Sequence, residues 1–211
     1  MGNHILTIDT ASTACSVALF DGEALISSAY EEIGRGHAEK LVPMIAQLPS
    51  KGRADNILVN CGPGSFTGVR IGLSAAKALA LAWHARISGY ECLHLIAVQA
   101  LTEMKKPAPV FVTMIGGHGE FFVQNFAADG SAIDNLLSLP AEAALLQRKS
   151  DHFAGSAAQS LAAMVNNASG ITYSSILPNA AKSILLPERS QHLAATPVYG
   201  RAPDAQPIHQ V

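Results

Sequence analysis

The run Cys61-Gly62-Pro63-Gly64-Ser65-Phe66-Thr67-Gly68-Val69-Arg70-Ile71-Gly72 constrains the fold more than any other stretch. The apolar segment Asn56 to Asn60 before it reads as a strand, and Ile71 to Ala85 after it, alanine-rich and free of proline, reads as a helix. Glycines and a proline between a strand and a helix force a tight turn, because glycine permits positive φ and close backbone approach. Free amides at a helix start attract anions, which makes Gly64, Ser65, Thr67 and Gly68 candidates for an anion-binding turn. A Walker loop would end in Gly-Lys-Ser/Thr and a dinucleotide fingerprint would read G-x-G-x-x-G. Here the end is Thr67-Gly68-Val69 and the glycines give G-x-G-x-x-x-G. The alternative is a structural turn with Ser65 or Thr67 capping the helix, and the pattern alone leaves both readings open.

The chain has 211 residues, enough for one large domain or two small lobes. With 49% hydrophobic and 14% charged residues it is not a disordered chain, and so little polar surface implies that a partner covers part of it. A formal charge of −2 argues against electrostatically driven nucleic-acid binding. The start of the chain has no basic segment followed by a long apolar one, and no apolar run reaches the ~18 residues of a membrane span. The expectation is a cytoplasmic protein with reduced Cys15, Cys61 and Cys92, away from any membrane. Cys61 reads as a small buried residue, since no basic neighbour in sequence would activate it.

Apolar alternation predicts strands over Ile5–Thr10, Ala14–Phe20 and Glu23–Tyr30, joined as an antiparallel meander. Asp9, at the end of the first strand, either faces a metal or phosphate or bonds the amides of its own turn. His37 to Leu48 reads as a helix with the stripe Ala38, Leu41, Val42, Ile45 and Leu48, distorted at Pro43. His37 reads as a capping or surface residue, because its helical partner positions for a metal are Lys40 and Leu41. The helix after the glycine turn carries one stripe of Val69, Leu73, Ala76, Ala80 and Trp83 and another of Ile71, Ala75, Ala78 and Ala82. Arg70, Ser74, Lys77, Leu81 and His84 form its thin mixed face, so the helix is apolar nearly all round and should be buried on more than one side.

Arg86–Tyr90 reads as a strand, and Leu93–Met104 as a strand end running into a helix. Lys105-Lys106-Pro107-Ala108-Pro109 is a breaker and divides the chain into lobes 1–104 and 105–211. Val110–Ile115 and Glu120–Phe126 form a hairpin around Gly116-Gly117-His118-Gly119. Beyond Gly130 the expectations are helices at Ala141–Lys149, Ser156–Asn166 and Asn179–Leu186, a strand at His152–Ala154, and an extended strap over Thr196–Pro203. No internal repeat is visible. Among the polar candidates Asp9, His37, Arg70, Lys77, His118 and Glu120, no spacing suggests a metal set or a nucleophile–base pair.

Three elements together are more specific than any one: Ile8-Asp9-Thr10-Ala11 with Cys15-Ser16-Val17-Ala18-Leu19, then His37-Ala38-Glu39 with Leu41 and Pro43, then Gly62 to Gly72. In this order they resemble the TsaB family, also called YeaZ-like, over residues 4–100. The tail Thr196-Pro197-Val198-Tyr199-Gly200-Arg201 is similar to that family's Pro-x-Tyr-Leu-Arg, with Gly200 in place of leucine. The resemblance implies an α/β, actin-like ATPase (ribonuclease H-like) fold of two lobes with mixed central sheets. It implies a scaffold role in making N6-threonylcarbamoyladenosine (t6A) in tRNA, beside a catalytic TsaD-like paralogue and a TsaE-like ATPase.

Two departures imply that this chain is not itself the enzyme. The paralogue's metal helix carries H-x-x-x-H, where this sequence reads His37-Ala38-Glu39-Lys40-Leu41. The Asp-x-Gly of nucleotide-binding relatives reads Asp9-Thr10-Ala11, putting a Cβ where a phosphate would approach. The stretch Ile115-Gly116-Gly117-His118 also lacks the acidic and arginine positions common in the family. The expectation is thus a pseudo-enzyme that needs no metal or cofactor of its own, with any ATP or ADP at the partner interface and tRNA contacted only indirectly. His37, Leu41, Ile45, Arg70, Ser74, Lys77, Ala78 and Leu81 are the expected interface, for a heterodimer with the paralogue and a homodimer when alone. The rival reading is an ATP-dependent small-molecule kinase using Asp9 and the glycine turn; a protease, the family's older glycoprotease label, finds no supporting residues.

Overall fold

The computed structural model describes residues 3–165 and 169–200. The first sheet is built from β1 (His4–Asp9), β2 (Ala14–Asp21), β3 (Ala24–Glu32), β4 (Asn56–Asn60) and β5 (Arg86–Tyr90). Their order across the sheet is β3-β2-β1-β4-β5, with β1, β2 and β3 antiparallel in turn and β1, β4 and β5 parallel. The N-terminal meander is as expected from its alternation. Helix α1 (His37–Gln47) connects β3 to β4, and α2 (Phe66–Trp83) connects β4 to β5.

After α3 (Cys92–Glu103), a second sheet forms from β6 (Val110–Ile115), β7 (Glu120–Phe126), β8 (Leu137–Pro140), β9 (His152–Ala154) and β10 (Thr172–Ser174). Its order is β10-β9-β6-β7-β8, with β6, β7 and β8 antiparallel in turn and β6, β9 and β10 parallel. Helices α4 (Ala141–Leu146) and α5 (Ala158–Ala163) occupy the connections that α1 and α2 occupy in the first sheet. Both sheets therefore share one scheme, in which the first strand is central, the second and third lie on one side and the fourth and fifth on the other. This is the two-lobed actin-like architecture. The duplication exists in topology without any repeat in the sequence.

Several elements differ from expectation for physical reasons. Residues 93–104 contain no strand: α3 is helical throughout and every residue from Cys92 to Leu101 is buried. Its continuous apolar run follows from burial on all sides, and periodicity alone does not separate that from a strand. It lies in one core that runs from Leu6 and Ile57 of the first sheet to Val112 and Phe122 of the second. Strands β8 and β10, of four and three residues, carry too little pattern to stand out. Asn179–Leu186 is a 3-10 turn over Ala180–Leu185. α5 is shorter than expected, and the predicted end at Asn166 lies outside the described residues.

The chain after β10 returns to the first sheet. Ala180 N donates to Ser16 Oγ (3.0 Å), and the hydroxyls of Thr7 and Ser183 lie 2.9 Å apart in a buried contact. Leu193 then pairs with Gly89 on the outer edge of β5, and Val198 N donates to Cys61 O (2.8 Å). The strap thus lies on the body up to Gly200; the expected continuation over residues 201–203 is outside the described residues.

The glycine turn is packed against the turn between β1 and β2. A Cβ on Gly64 would lie 2.0 Å from Ala11 O, and one on Gly68 would lie 2.1 Å from Thr10 O. Both obstacles are backbone atoms, which cannot swing aside. Gly68→Ala, worth ~1 kcal/mol of gain in an ordinary helix, should instead destabilise by about 3 kcal/mol through overpacking. Gly64→Ala should do the same, while Gly117→Ala, whose Cβ would meet nothing within 4 Å, should stay within ~0.5 kcal/mol of wild type in urea unfolding.

Candidate functional site

In an open parallel α/β sheet, ligands bind beyond the carboxyl ends of the strands. Here those ends bring Asp9 from β1, Asn60 from β4 and Tyr90 from β5 together. Asn60 Nδ2 donates to Asp9 Oδ2 at 2.6 Å and the Tyr90 hydroxyl donates to the same oxygen at 2.7 Å. Ala11 N donates to Oδ1 at 3.1 Å. Asn60 also accepts from Gly62 N (2.8 Å), which ties the start of the glycine turn to the same cluster. All three side chains are buried. Asp9 therefore bonds its own turn and the neighbouring strands, and no face of it opens to a phosphate or metal.

The anion-binding turn is likewise used internally. Ser65 N donates to Ala11 O at 2.7 Å, the position a phosphate oxygen would take in a cradle. Ser65 Oγ caps α2 by accepting from Gly68 N (3.2 Å), and Thr10 Oγ1 donates to Gly68 O (2.7 Å). Thr67 falls inside the first turn of the helix, which begins five residues earlier than its apolar periodicity indicates because Ser65 caps it. Burial pushes the Cys15 and Cys61 thiols up to about 11, which keeps them protonated at neutral pH.

The outer side of α1 and α2 offers the contrasting surface. The stripe Val69, Leu73, Ala76 and Ala80 of α2 is buried and Trp83 half-buried, as expected. The second apolar stripe is covered only in part: Ile71 and Ala75 are half-buried while Ala78 and Ala82 are exposed. Arg70, Ser74, Lys77, Ala78 and Leu81 all lie on the exposed side, Leu81 at 79% exposure. His37, Leu41 and Ile45 do not: they are buried, with Met44 and Leu48, against the body. The α1 stripe is rotated from the expected one, leaving Ala38 and Val42 outside. His37 is neither a cap nor a surface residue, since its Nε2–H donates to Ala14 O (3.2 Å). Gly36, in a left-handed conformation with φ of 88°, precedes it at the start of the helix. Pro43, on the exposed side, interrupts no part of α1.

Between the two helices runs a groove of about 520 Å³ whose floor and walls include Leu41, Val42, Phe66, Arg70, Ile71 and Ala75. At its head the Arg70 guanidinium stacks on Phe66, 3.6 Å from the ring centroid, and donates to the Tyr199 hydroxyl at 2.9 Å. Val42, expected in the buried stripe of α1, is exposed at 58%, and Phe66, exposed at 59%, escapes sequence reasoning because it precedes the expected start of the helix at Ile71. Tyr199 joins them only through the return of the strap.

Burial pushes the Asp9 carboxyl up to about 6, against the pull of hydrogen bonds from Asn60, Tyr90 and the Ala11 amide. Since the folded value lies above the unfolded one, this group's contribution is complete below about pH 4 and is lost as pH rises through about 6. A shift from 3.8 to about 6 corresponds to about 3 kcal/mol at ~1.4 kcal/mol per unit. The stability difference between wild type and Asp9→Asn, from urea unfolding, should therefore fall by about 2–3 kcal/mol between pH 4 and pH 7.5. A flat difference would mean that the carboxyl titrates as an exposed one.

The family model described as TsaD, tRNA N6-adenosine threonylcarbamoyltransferase, matches residues 29–181. The chain is 31% identical over 135 residues to the tRNA threonylcarbamoyladenosine biosynthesis protein TsaB of Escherichia coli (strain K12), covering 62% of this chain and 58% of that protein. It is 32% identical over 98 residues to the TsaB of Bacillus subtilis (strain 168), covering 44% of this chain and 43% of that one. The chain thus spans about half the length of the curated relatives it matches. Among solved structures it is similar to YeaZ from Pseudomonas aeruginosa, with a TM-score of 0.79 and 26% identity over 93% of this chain and 99% of that one. A second structure, an uncharacterized protein with similarity to peptidase YEAZ from Pseudomonas aeruginosa, gives a TM-score of 0.80 and 27% identity over 94% and 100%. The resemblance carried by the three sequence elements is borne out: the chain belongs to the TsaD family, among its TsaB/YeaZ members.

Proposed function

We propose that the chain is a non-catalytic scaffold subunit of t6A biosynthesis that binds and stabilises a TsaD-like paralogue through the outer face of α1 and α2. The observation that carries this reading is the α2 helix itself. One side is built into the core and the other presents Ala78, Leu81 and Ala82, which no described residue covers. Small side chains allow close helix approach, and two helices from each partner would bury these faces as a bundle. The t6A assignment is supported by the name of the curated TsaB relatives.

The absence of catalysis in this chain is supported by the strand ends of both lobes. In the first, Asp9 is sealed and the Ser65 amide is occupied by Ala11 O. In the second, β6 ends at Ile115, an exposed apolar residue, followed by Gly116, Gly117 and His118 without a carboxylate. A kinase would need phosphate contacts from both. A nucleotide and a TsaE-like ATPase belong, in this reading, to the assembled pair rather than to this chain.

Co-expression with the TsaD-like paralogue tests the proposal. Ala78→Glu and Leu81→Asp put a charge into the contact yet replace exposed residues, so each should abolish co-purification while leaving the thermal unfolding midpoint of the isolated chain unchanged. Omitting the chain should stop tRNA modification by the remaining components, and both variants should reproduce that loss. Co-purification of either folded variant at wild-type stoichiometry would remove α2 from the interface.

A further inference from the structure

Two pairs of adjacent cations, Lys105-Lys106 and Arg148-Lys149, belong neither to the docking face nor to the strand ends described above. They are distant in the sequence, and the second sheet brings them together. β6 and β9 are neighbouring parallel strands, Phe111 beside Phe153 and Val112 beside Ala154, so the segments that lead into them run side by side. Ser150 Oγ donates to Pro109 O and accepts from His152 N (3.0 Å), which ties the two segments where they meet. Lys106 is three residues before Pro109 and so lies within about 11 Å of it. Between the segments is an open groove of about 430 Å³ lined by Pro109, Arg148, Lys149, Ser150, Asp151 and His152.

The cations that line the groove are held in place without being used up. The Arg148 guanidinium is 2.5 Å from Asp151 Oδ1 and 5.9 Å from the centroid of the Phe153 ring. Lys149 Nζ is 3.1 Å from Asp134 Oδ2. Behind them the buried Asn125 accepts from Lys149 N (2.9 Å) and donates to Gln147 O (2.9 Å) and Asp134 Oδ2 (2.7 Å), which anchors the segment. A guanidinium carries five N–H donors and an ammonium three, so each cation keeps donors beyond its one carboxylate. Lys105 and Lys106 are exposed and belong to none of the ion pairs among the described residues. The carboxylates on or against these segments are Asp134, Asp151 and Glu103, fewer than the cations, so the local sign is positive on a chain of formal charge −2.

We propose that this groove holds the phosphate backbone of tRNA directly, where the overall charge of the chain suggests only an indirect contact. The cations lie along two segments rather than around one point, which suits successive phosphates of a strand better than a single small anion. Arg148 supplies the planar fork that matches a phosphate, and the lysines supply point charges. Contacts of this kind fix the position of an RNA without reading its sequence. The proposal rests on the t6A role argued above, which supplies the RNA substrate. It gives the second lobe a task of its own, at the amino ends of β6 and β9 and away from the α1 and α2 face.

The double variant Lys105→Ala, Lys106→Ala tests it, because both side chains are exposed and have no ion pair to lose. The variant should fold and co-purify with the TsaD-like paralogue as the wild type does. Binding of unmodified tRNA to the purified pair, read by filter retention over a series of potassium chloride concentrations, should weaken about tenfold. The slope of log affinity against log salt should fall by about 1 to 2, the mark of lost phosphate contacts. Arg53→Ala, which removes an exposed cation of the first lobe, should change neither quantity. Equal affinity and slope for the double variant and the wild type, or an equal loss in Arg53→Ala, would overturn the groove as an RNA contact and leave the scaffold reading in place. A wild-type chain that fails to co-purify with the paralogue would overturn that reading and this one with it. Inorganic phosphate that raises the thermal midpoint of the wild type but not of the double variant would assign the groove to a small anion and overturn the RNA assignment.

Discussion

The rest of the structure depends on the approach of the glycine turn to the turn between β1 and β2. Ser65 N–H on Ala11 O, Thr10 Oγ1 on Gly68 O, and glycine Cα atoms where any side chain would collide bring two backbones together. That approach fixes the start of α2 and therefore which of its residues enter the core. It also covers the ends of β1, β4 and β5, so that Asp9 becomes an internal group bonded to Asn60, Tyr90 and Ala11. A loop whose glycines look made to admit an anion admits a carbonyl instead. The helix-start amide that would have bound a ligand is spent on holding the fold.

The same economy explains the division of the molecule into a closed side and an open one. One apolar core runs from sheet to sheet, with α3 inside it. The returning strap pairs with the edge of β5 and reaches Phe122 on the second sheet. Apolar surface that the core does not absorb is gathered on α1 and α2. Because α2 is apolar nearly all round while the body covers only one of its sides, Ala78, Leu81 and Ala82 stay exposed on the other, the surface proposed above for docking.

The N-terminal half of the fold was legible because its signals are local. The alternation of β1 and β2, the turn glycines and the stripe Val69, Leu73, Ala76, Ala80 each predict burial from neighbours a few residues away. Reading failed where burial is set from far along the chain. α3 gave no clean period because every side is covered. α1 buries Met44 and His37 in place of Val42 and Ala38, and packing into the body took His37, Leu41 and Ile45 out of the expected contact surface. The duplicated topology could not be read at all, since the two lobes keep the same strand order with unrelated side chains.

The sequence by itself determined the family, the first sheet and the apolar stripes of α2, all of which follow from side-chain period, turn chemistry and short motifs. Only the tertiary structure decided what the glycine turn does. Whether its amides face solvent or another backbone depends on residues 10 and 11 meeting residues 64 and 68, a contact across more than fifty positions that no local pattern encodes. It likewise decided that Asp9 is a structural carboxyl, because burial among Asn60 and Tyr90 is a property of three strands aligned and of none taken alone.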